Sequence, residues 1–392
     1  SSKATQDAKS KFESENSRLE KKLEQATTKL TESSNSKFSY IWGLIKNYYY
    51  EDVEDEKLIE GVYKGVVEAL DDPYSVYYNE IEYSNLMASL TGNYAGIGAQ
   101  LTKNLETGEV LVTKVYKGTP AQKAGIVEGD SILQADEFMA VDEDLDQFVQ
   151  HIRGDAGTEV TLKIKRKDEI KDVKCKRADI SVPTVESQML NDKVGYIEVS
   201  QFATNTADDF KKAIDDLKKS GMQSLIIDLR GNGGGLVDAA TDMLDYILPK
   251  GITVYTLDKN GEKNEYKSDD EHVLKMPIVV LVDENSASAS EIFAGAIRDY
   301  DYGTLLGTKT FGKGIVQSTI ELSDGTALKL TTERYYTPSG ECIHKKGIEP
   351  DVKLEYEFMG EEDAEYSVDL DNQIQAGIQV LEGTYKDTPK EK

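Results

Sequence analysis

Apolar and polar positions change period several times along the chain, and each change marks a boundary. Between residues 4 and 31, Phe12, Asn16, Leu19, Leu23, Ala26 and Leu30 recur at spacings of 4, 3, 4, 3 and 4. That heptad seam with one polar position predicts a short coiled coil, with a solvated single helix or a membrane-proximal stalk as alternatives. The polar run "TESSNS" reads as a linker. From Lys37 to about Leu90 the pattern is helical. Leu58, Ile59, Val62, Tyr63, Val66, Val67 and Leu70 make one apolar face, and "DDP" at 71–73 ends it. Tyr48, Tyr49 and Tyr50 read as core or dimer packing.

Residues 92–180 change character. Short strand-like runs, "VLVTKVY" and "TLKIKRK", flank "GTPAQKAGIVEGDSIL", and a helical stretch follows over Leu145, Phe148, Val149 and Ile152. The segment "TPAQKAGIVEGDSILQAD" resembles the turn, helix, Gly-Asp and strand of a PDZ domain. By the same resemblance, "YAGIGAQL" at 94–101 is the loop and strand that receive a peptide. That assigns Gly96, Ile97, Gly98 and Ala99 to peptide binding. Free N–H groups at a glycine-rich turn hold a terminal carboxylate while the strand edge pairs with the peptide. Gly96 and Gly98 suit this because no side chain blocks the approach.

From about Ser181 strands and helices alternate. "VGYIEVSQF" is strand-like, 207–220 helical, and "SLIIDLR" a buried strand that runs into "GNGGG" and another helix. "TVYTLDKNGEKNEYKS" reads as a hairpin with an Asn-Gly turn, and a second hairpin turns at Asp324-Gly325. "PIVVLVD" leads through a serine-rich turn to a helix ending at Tyr300. The pattern predicts an α/β core with added antiparallel strands. An acidic segment and a last helix over roughly 369–382 complete the chain.

Composition narrows the function. Lys and Arg total 46 and Asp and Glu total 72 of 392 residues, for a net charge of −26. Such a surface repels nucleic-acid phosphates and anionic lipid, so no nucleic-acid partner is expected. Cys175 and Cys342 are far apart and form no metal-ligand cluster, and their redox state is left open.

The candidate chemistry begins with "DENSASASEI", three alanine-spaced serines where a buried strand meets a helix. Serines cap helices. A hydroxyl at a sharp strand-to-helix turn also projects beside unpaired N–H groups able to hold an oxyanion. A serine nucleophile needs a base. His151, His272 and His344 stand in no triad-like setting, whereas "TKTFGKGIVQ" offers Lys313 between two glycines, with Gln317 four residues on. A lysine titrates near about 10.4 in water and must be desolvated to serve as a base. An amide partner orients it without adding charge. "LRGNGGGL" lacks dinucleotide and P-loop spacing and reads as an oxyanion donor.

In combination, "GYIEVSQF", "LIIDLRGNGGGL", "VDENSASASEIFAGAIRDY", "GTKTFGKGIVQ" and "YYTPSGECIHKKGIEPDV" resemble the carboxyl-terminal processing peptidases, PDZ-containing serine proteases with a Ser-Lys pair. The resemblance covers about residues 38–355. It implies Ser288 as nucleophile, Lys313 as general base, Gln317 as the residue positioning the lysine, and the N–H groups of Ala289 and Gly234 as oxyanion hole. Many relatives carry Pro in the glycine-rich turn where this chain has Gly233. Ser286 and Ser290 are expected to cap and pack. The implied activity is an endopeptidase that receives a flexible protein C-terminus on its PDZ domain and needs neither metal nor cofactor. Arg153 is the suspected link between the two domains.

The resemblance further implies a homodimer located outside the cytoplasm with an N-terminal membrane anchor. The expected organisation is a stalk and linker at 1–36, a helical arm at 37–91, PDZ at 92–180, an α/β protease core at 181–355, and an acidic segment with a helix at 356–392. Two other readings remain: a non-catalytic PDZ scaffold with a protease-like core, and a crotonase-type acyl-transfer or hydratase enzyme.

Overall fold

The structure is a computed structural model that describes residues 35–104, 107–361 and 364–386; the heptad seam lies outside them. The chain forms two compact units that divide between Val66 and Val67.

The first unit holds helix Asn35–Tyr48 and most of helix Asp55–Glu68. Lys46 closes the turn between them, donating to the Val53 carbonyl at 2.6 Å and pairing with Asp55 at 3.0 Å. Phe38, Trp42, Ile59, Val62 and Tyr63 line an apolar cleft. Tyr48 and Tyr50 are 81% and 98% exposed, so in this chain they are not core residues.

The centre of the second unit is a six-stranded sheet in the order Val185–Met189, Val194–Val199, Ser224–Asp228, Ile278–Val282, Thr304–Gly307, Val352–Lys353. Its first pair is antiparallel and the rest are parallel. Parallel strands are covered on both faces, which is why "SLIID" and "IVVLV" are buried end to end. Ile197, Val199, Leu225, Ile227, Val280 and Val282 share a core with helices Thr206–Lys219, Val237–Asp245 and Ala289–Asp299. Phe210 and Phe293 meet edge-on there at 6.3 Å. The alternate residues Tyr196, Ile226, Val279 and Leu281 pack on Ile374 and Ala376 of helix Asn372–Leu381.

A second sheet carries the expected hairpins, Gly251–Asp258 with Lys263–Ser268 and Ile315–Glu321 with Ala327–Tyr336. It also holds a strand that the sequence pattern did not predict. Val76–Tyr78, inside the stretch read as helical, pairs antiparallel with residues 327–329. Three residues are too few to show a period, and the pairing depends on a partner some 250 residues away. Helix Asp55–Glu68 stops before Asp71, whose φ is 52°, and Pro73 prevents resumption. Asn79 and Glu82 then cap each other at the start of helix Glu80–Thr91.

The inserted PDZ domain is a six-stranded antiparallel sheet with the predicted helix Leu145–Ile152. Strands Asn93–Gly96 and Ala178–Ser181 pair where the chain enters and leaves it, so a two-stranded ribbon joins it to the core. Buried Asp130 receives Arg166 through both Nε and Nη2, at 2.7 and 2.8 Å.

Phe293 is fully buried at the helix-sheet interface. Phe293→Ala should cost about 3–5 kcal/mol, the usual loss for deleting a buried ring. Urea unfolding followed by circular dichroism checks this, and an unchanged midpoint would contradict the packing described.

Candidate active site

Strand Ile278–Val282 delivers the chain into the serine turn, and helix Ala289–Asp299 begins one residue after Ser288. Ser288 has φ 56° and ψ −114°, a conformation that costs a non-glycine residue about 1–3 kcal/mol. Its neighbours anchor the turn. Ser286 Oγ donates to the Leu229 carbonyl at 2.8 Å, and Ser290 Oγ to the Asn232 carbonyl at 2.8 Å. Both serines are fully buried and stitch the serine turn to the glycine-rich turn.

Glu291 joins the serine turn to the lysine loop. This fully buried carboxylate accepts the N–H groups of Ser288 (3.0 Å) and Lys313 (2.8 Å) on one oxygen. The other oxygen takes the Gly312 N–H (2.7 Å) and the Thr310 hydroxyl (2.6 Å). Burial pushes its carboxyl up from the usual range, against these four donors, which hold it down. Ser288 and Lys313, 25 residues apart in sequence, therefore share one acceptor atom through their backbones. From the other side, the fully buried Tyr335 hydroxyl donates to the Ser288 carbonyl at 3.1 Å.

The Lys313 amine lies 4.7 Å from the centre of the Tyr74 ring. Burial pushes its pKa down, and the Lys329 cation adds to this, while Asp72 and Glu291 work the other way. Gln317 sits at a strand irregularity, and its amide donates to Thr331 Oγ1 at 3.4 Å. The glycine-rich turn lies against the serine. A Cβ on Gly234 would stand 2.8 Å from Ser288 Cβ and 3.0 Å from the Ala289 nitrogen, so that approach requires glycine. The two candidate oxyanion donors differ. Ala289 is the first residue of its helix, so its N–H has no intrahelical acceptor. The Gly234 N–H already donates to Asn232 Oδ1 at 2.8 Å.

Three groups here were not singled out from sequence. Asp72, read only as a helix stop, accepts from Ser75 Oγ (2.6 Å) and the Tyr74 N–H (3.1 Å). Ser75 Oγ in turn takes the Thr331 N–H at 3.1 Å. Tyr74 covers the lysine. His344, set aside for want of a triad, lies with its backbone against Gly314, where a Cβ would come within 2.5 Å of its nitrogen. Its Nδ1 is buried without a hydrogen-bond partner. Burial lowers its pKa, as do Lys345 and Arg334, while Asp72 opposes them. Only Pro73 marks this region in the sequence. The other two histidines are structural: His151 stacks on Phe138 and His272 on Tyr246.

In the PDZ domain, Ile97 and Ala99 line a groove of about 340 Å³, with Leu101, Val149 and Arg153 in its walls. The two glycines have a tighter reason than peptide access. A Cβ on Gly98 would stand 2.4 Å from Thr119, and one on Gly96 would stand 2.9 Å from the Tyr94 ring. Burial, above all, and Tyr116 push the Tyr94 phenol's pKa to about 12, with Arg153 and the backbone at Ala99 and Gly98 opposing. Arg153 lies 5.0 Å over that ring and donates to Asn85 Oδ1 at 2.5 Å. Among the described residues no cluster of His, Cys, Asp and Glu could hold a metal.

Comparison with known proteins gives a consistent assignment. A model of peptidase family S41 matches residues 193–354, one of the PDZ domain residues 95–176, and one of the activating protease CtpB N-terminal domain residues 2–81. The chain is 38% identical over 335 residues to the carboxy-terminal processing protease CtpA of Bacillus subtilis, covering 85% of this chain and 72% of that one. It is 40% identical over 321 residues to a probable CtpA-like serine protease of Staphylococcus epidermidis, covering 81% of this chain. It spans 65% of that relative's length, just under two thirds. Among solved structures it is similar to a photosystem II D1 C-terminal processing protease, with TM-score 0.51 and 28% identity over 81% of this chain and 88% of that one.

Glu291→Gln keeps the size of the side chain but replaces one acceptor oxygen by an NH2 donor. Two of the four donors then lose their partner, at about 1–3 kcal/mol for each that is buried. The expected result is a clear fall in the urea midpoint, together with loss of Ser288 labelling by a fluorophosphonate probe. A variant as stable and as reactive as the parent would remove Glu291 from the site's framework.

Proposed function

Since the chain belongs to the carboxy-terminal processing proteases, PDZ-containing members of peptidase family S41, we propose that it is an endopeptidase acting through Ser288 and Lys313 on proteins captured by their C-termini. In this reading Ser288 Oγ attacks the scissile carbonyl carbon while the neutral Lys313 amine takes its proton. The oxyanion forms at the Ala289 N–H. The Lys313 ammonium returns the proton to the departing amine, leaving an acyl-enzyme. Lys313 then deprotonates a water that releases the acid and regenerates Ser288. Gln317, in the strand that follows the lysine loop and bonded to Thr331, positions the lysine, and no cofactor takes part.

One observation carries the reading: the Glu291 oxygen that holds the N–H groups of both Ser288 and Lys313. A serine held in a strained backbone at a strand-to-helix corner, tied to a desolvated lysine, has the components of an activated nucleophile.

Substrate capture in this proposal uses residues 96–99. An entering carboxylate docks at the N–H groups of this glycine-rich turn, and Arg153, in the same groove, senses it. The hydrogen bond that occupies the Gly234 N–H favours a resting state with an incomplete oxyanion hole, completed when Asn232 releases it. A homodimer and an extracytoplasmic location with a membrane anchor complete the reading; the exposed aromatic side chains of the first unit support self-association. Among the described residues no helix is long and apolar enough to cross a membrane.

The test is digestion of casein by the parent chain, Ser288→Ala and Lys313→Ala, with mass spectrometry of the products. Ser288→Ala should abolish cleavage, and Lys313→Ala should lower kcat by about 10²–10⁴, the usual worth of a general base. Full activity in Lys313→Ala would exclude it as the base.

The pH profile gives a second prediction. The base works deprotonated, so activity should rise with pH along an acid limb. Because Lys313 is pushed down, that limb should lie below the ordinary lysine value of about 10.4. A limb at or above that value would contradict a desolvated base.

A further inference from the structure

Two of the three tyrosines in segment 72–78, Tyr74 and Tyr78, stand four residues apart, and each meets a lysine. Tyr74 lies over Lys313 at 4.7 Å, and Tyr78 lies over Lys329 at 5.1 Å, with Lys329 Nζ donating to the Tyr78 hydroxyl at 2.6 Å. The segment is firmly held. Asp72 Oδ1 fixes the Tyr74 N–H, Ser75 Oγ takes the Thr331 N–H, and Val76, Tyr77 and Tyr78 pair in register with Lys329, Leu328 and Ala327. The ring above Lys313 is thus set by backbone pairing rather than by a free side chain settling on the surface.

We propose that Tyr74 is a positioning residue for Lys313: its ring roofs the amine, keeps water from it and fixes where it points. The proposal rests on Lys313 being the base. Lys329, held in place by Tyr78, is the second cation of the arrangement and opposes a proton on Lys313. The charged groups facing the amine are Lys329 from strand Ala327–Tyr336, Asp72 from the tyrosine segment and Glu291 from helix Ala289–Asp299. His344, Lys345 and Arg334 form an outer group that includes Asp72.

The ring acts in two opposing ways. Its face attracts an ammonium, which favours the protonated lysine. Its bulk excludes water, which favours the neutral amine. Burial is the largest influence on Lys313, and a ring 4.7 Å from the amine contributes to that burial; in this proposal exclusion of water outweighs the attraction of the ring face. Removing the ring should therefore leave the amine protonated to higher pH.

The experiment measures amine labelling of Lys313 against pH in the intact chain, by peptide mapping, alongside kcat and KM on a peptide substrate. Tyr74→Ala should move the labelling midpoint to higher pH and lower kcat at neutral pH severalfold or more, with KM little changed. Tyr74→Phe should keep the parent midpoint and kcat. Tyr74→Leu retains the bulk without the aromatic face, so its midpoint should not rise. Lys329→Met should raise the midpoint, and Lys329→Arg should restore it. A parent midpoint and parent kcat in Tyr74→Ala would overturn the proposal, as would a risen midpoint in Tyr74→Leu.

If Tyr74→Ala does not fold, a risen midpoint or a collapsed kcat in Tyr74→Leu overturns it equally. The two readings also fail separately. Shifted midpoints in a chain without turnover would sink the protease reading and leave the roof standing. Ser288-dependent turnover that no Tyr74 variant alters would do the reverse.

Discussion

One buried carboxylate organises this protein's candidate site. Glu291 is fully buried, and each of its oxygens accepts two hydrogen bonds from the serine turn and the lysine loop. A buried carboxylate stripped of these donors is costly, and the donors without it are costly too. The corner at Ser288 and the loop 310–313 are therefore fixed together or not at all. The positive φ at Ser288 persists because the surrounding structure over-determines it: Glu291 holds its N–H, Tyr335 its carbonyl, and Ser286 and Ser290 anchor either side.

Around that framework the site is assembled from distant parts of one compact unit. The core sheet presents the serine and glycine-rich turns at the ends of neighbouring parallel strands, Ile278–Val282 and Ser224–Asp228. The second sheet brings Lys313, Gln317 and Lys329, and the segment before helix Glu80–Thr91 adds Asp72 and Tyr74. The continuation of that segment reaches the groove of the PDZ domain. Asn85 accepts from Arg153 and Gln150 and donates to Asp146, while Gln201 of the core donates to Ser89. One run of chain, 72–91, thus touches both the lysine's surroundings and the PDZ groove.

Much of this architecture was legible from periodicity and punctuation. The buried strands "SLIID" and "IVVLV", the hairpins at Asn260-Gly261 and Asp324-Gly325, and helices Leu145–Ile152, Thr206–Lys219 and Asn372–Leu381 carry local signals strong enough to survive folding. The strand Val76–Tyr78 does not. It exists because Ala327–Lys329 offers it an edge, and nothing in three residues announces that. The same limit hid Tyr74 and Asp72, whose importance is a matter of what lies across from them. Gly98 was legible as a special position, but its reason was not, since the contact with Thr119 belongs to the folded domain.

The sequence by itself determined which residues were available for chemistry, a serine at a strand-to-helix corner, a lysine between glycines and a glycine-rich turn, because those types and their local backbone demands are encoded within a few positions. It also determined the order of the elements and the family the chain resembles. Only the tertiary structure decided that Ser288 and Lys313 share a carboxylate, that the Gly234 N–H is already engaged, and that an aromatic ring from the far side of the PDZ insertion covers the amine. Burial, shared acceptors and cross-strand register are properties of pairs distant in sequence, and they take definite values only once the chain has closed on itself.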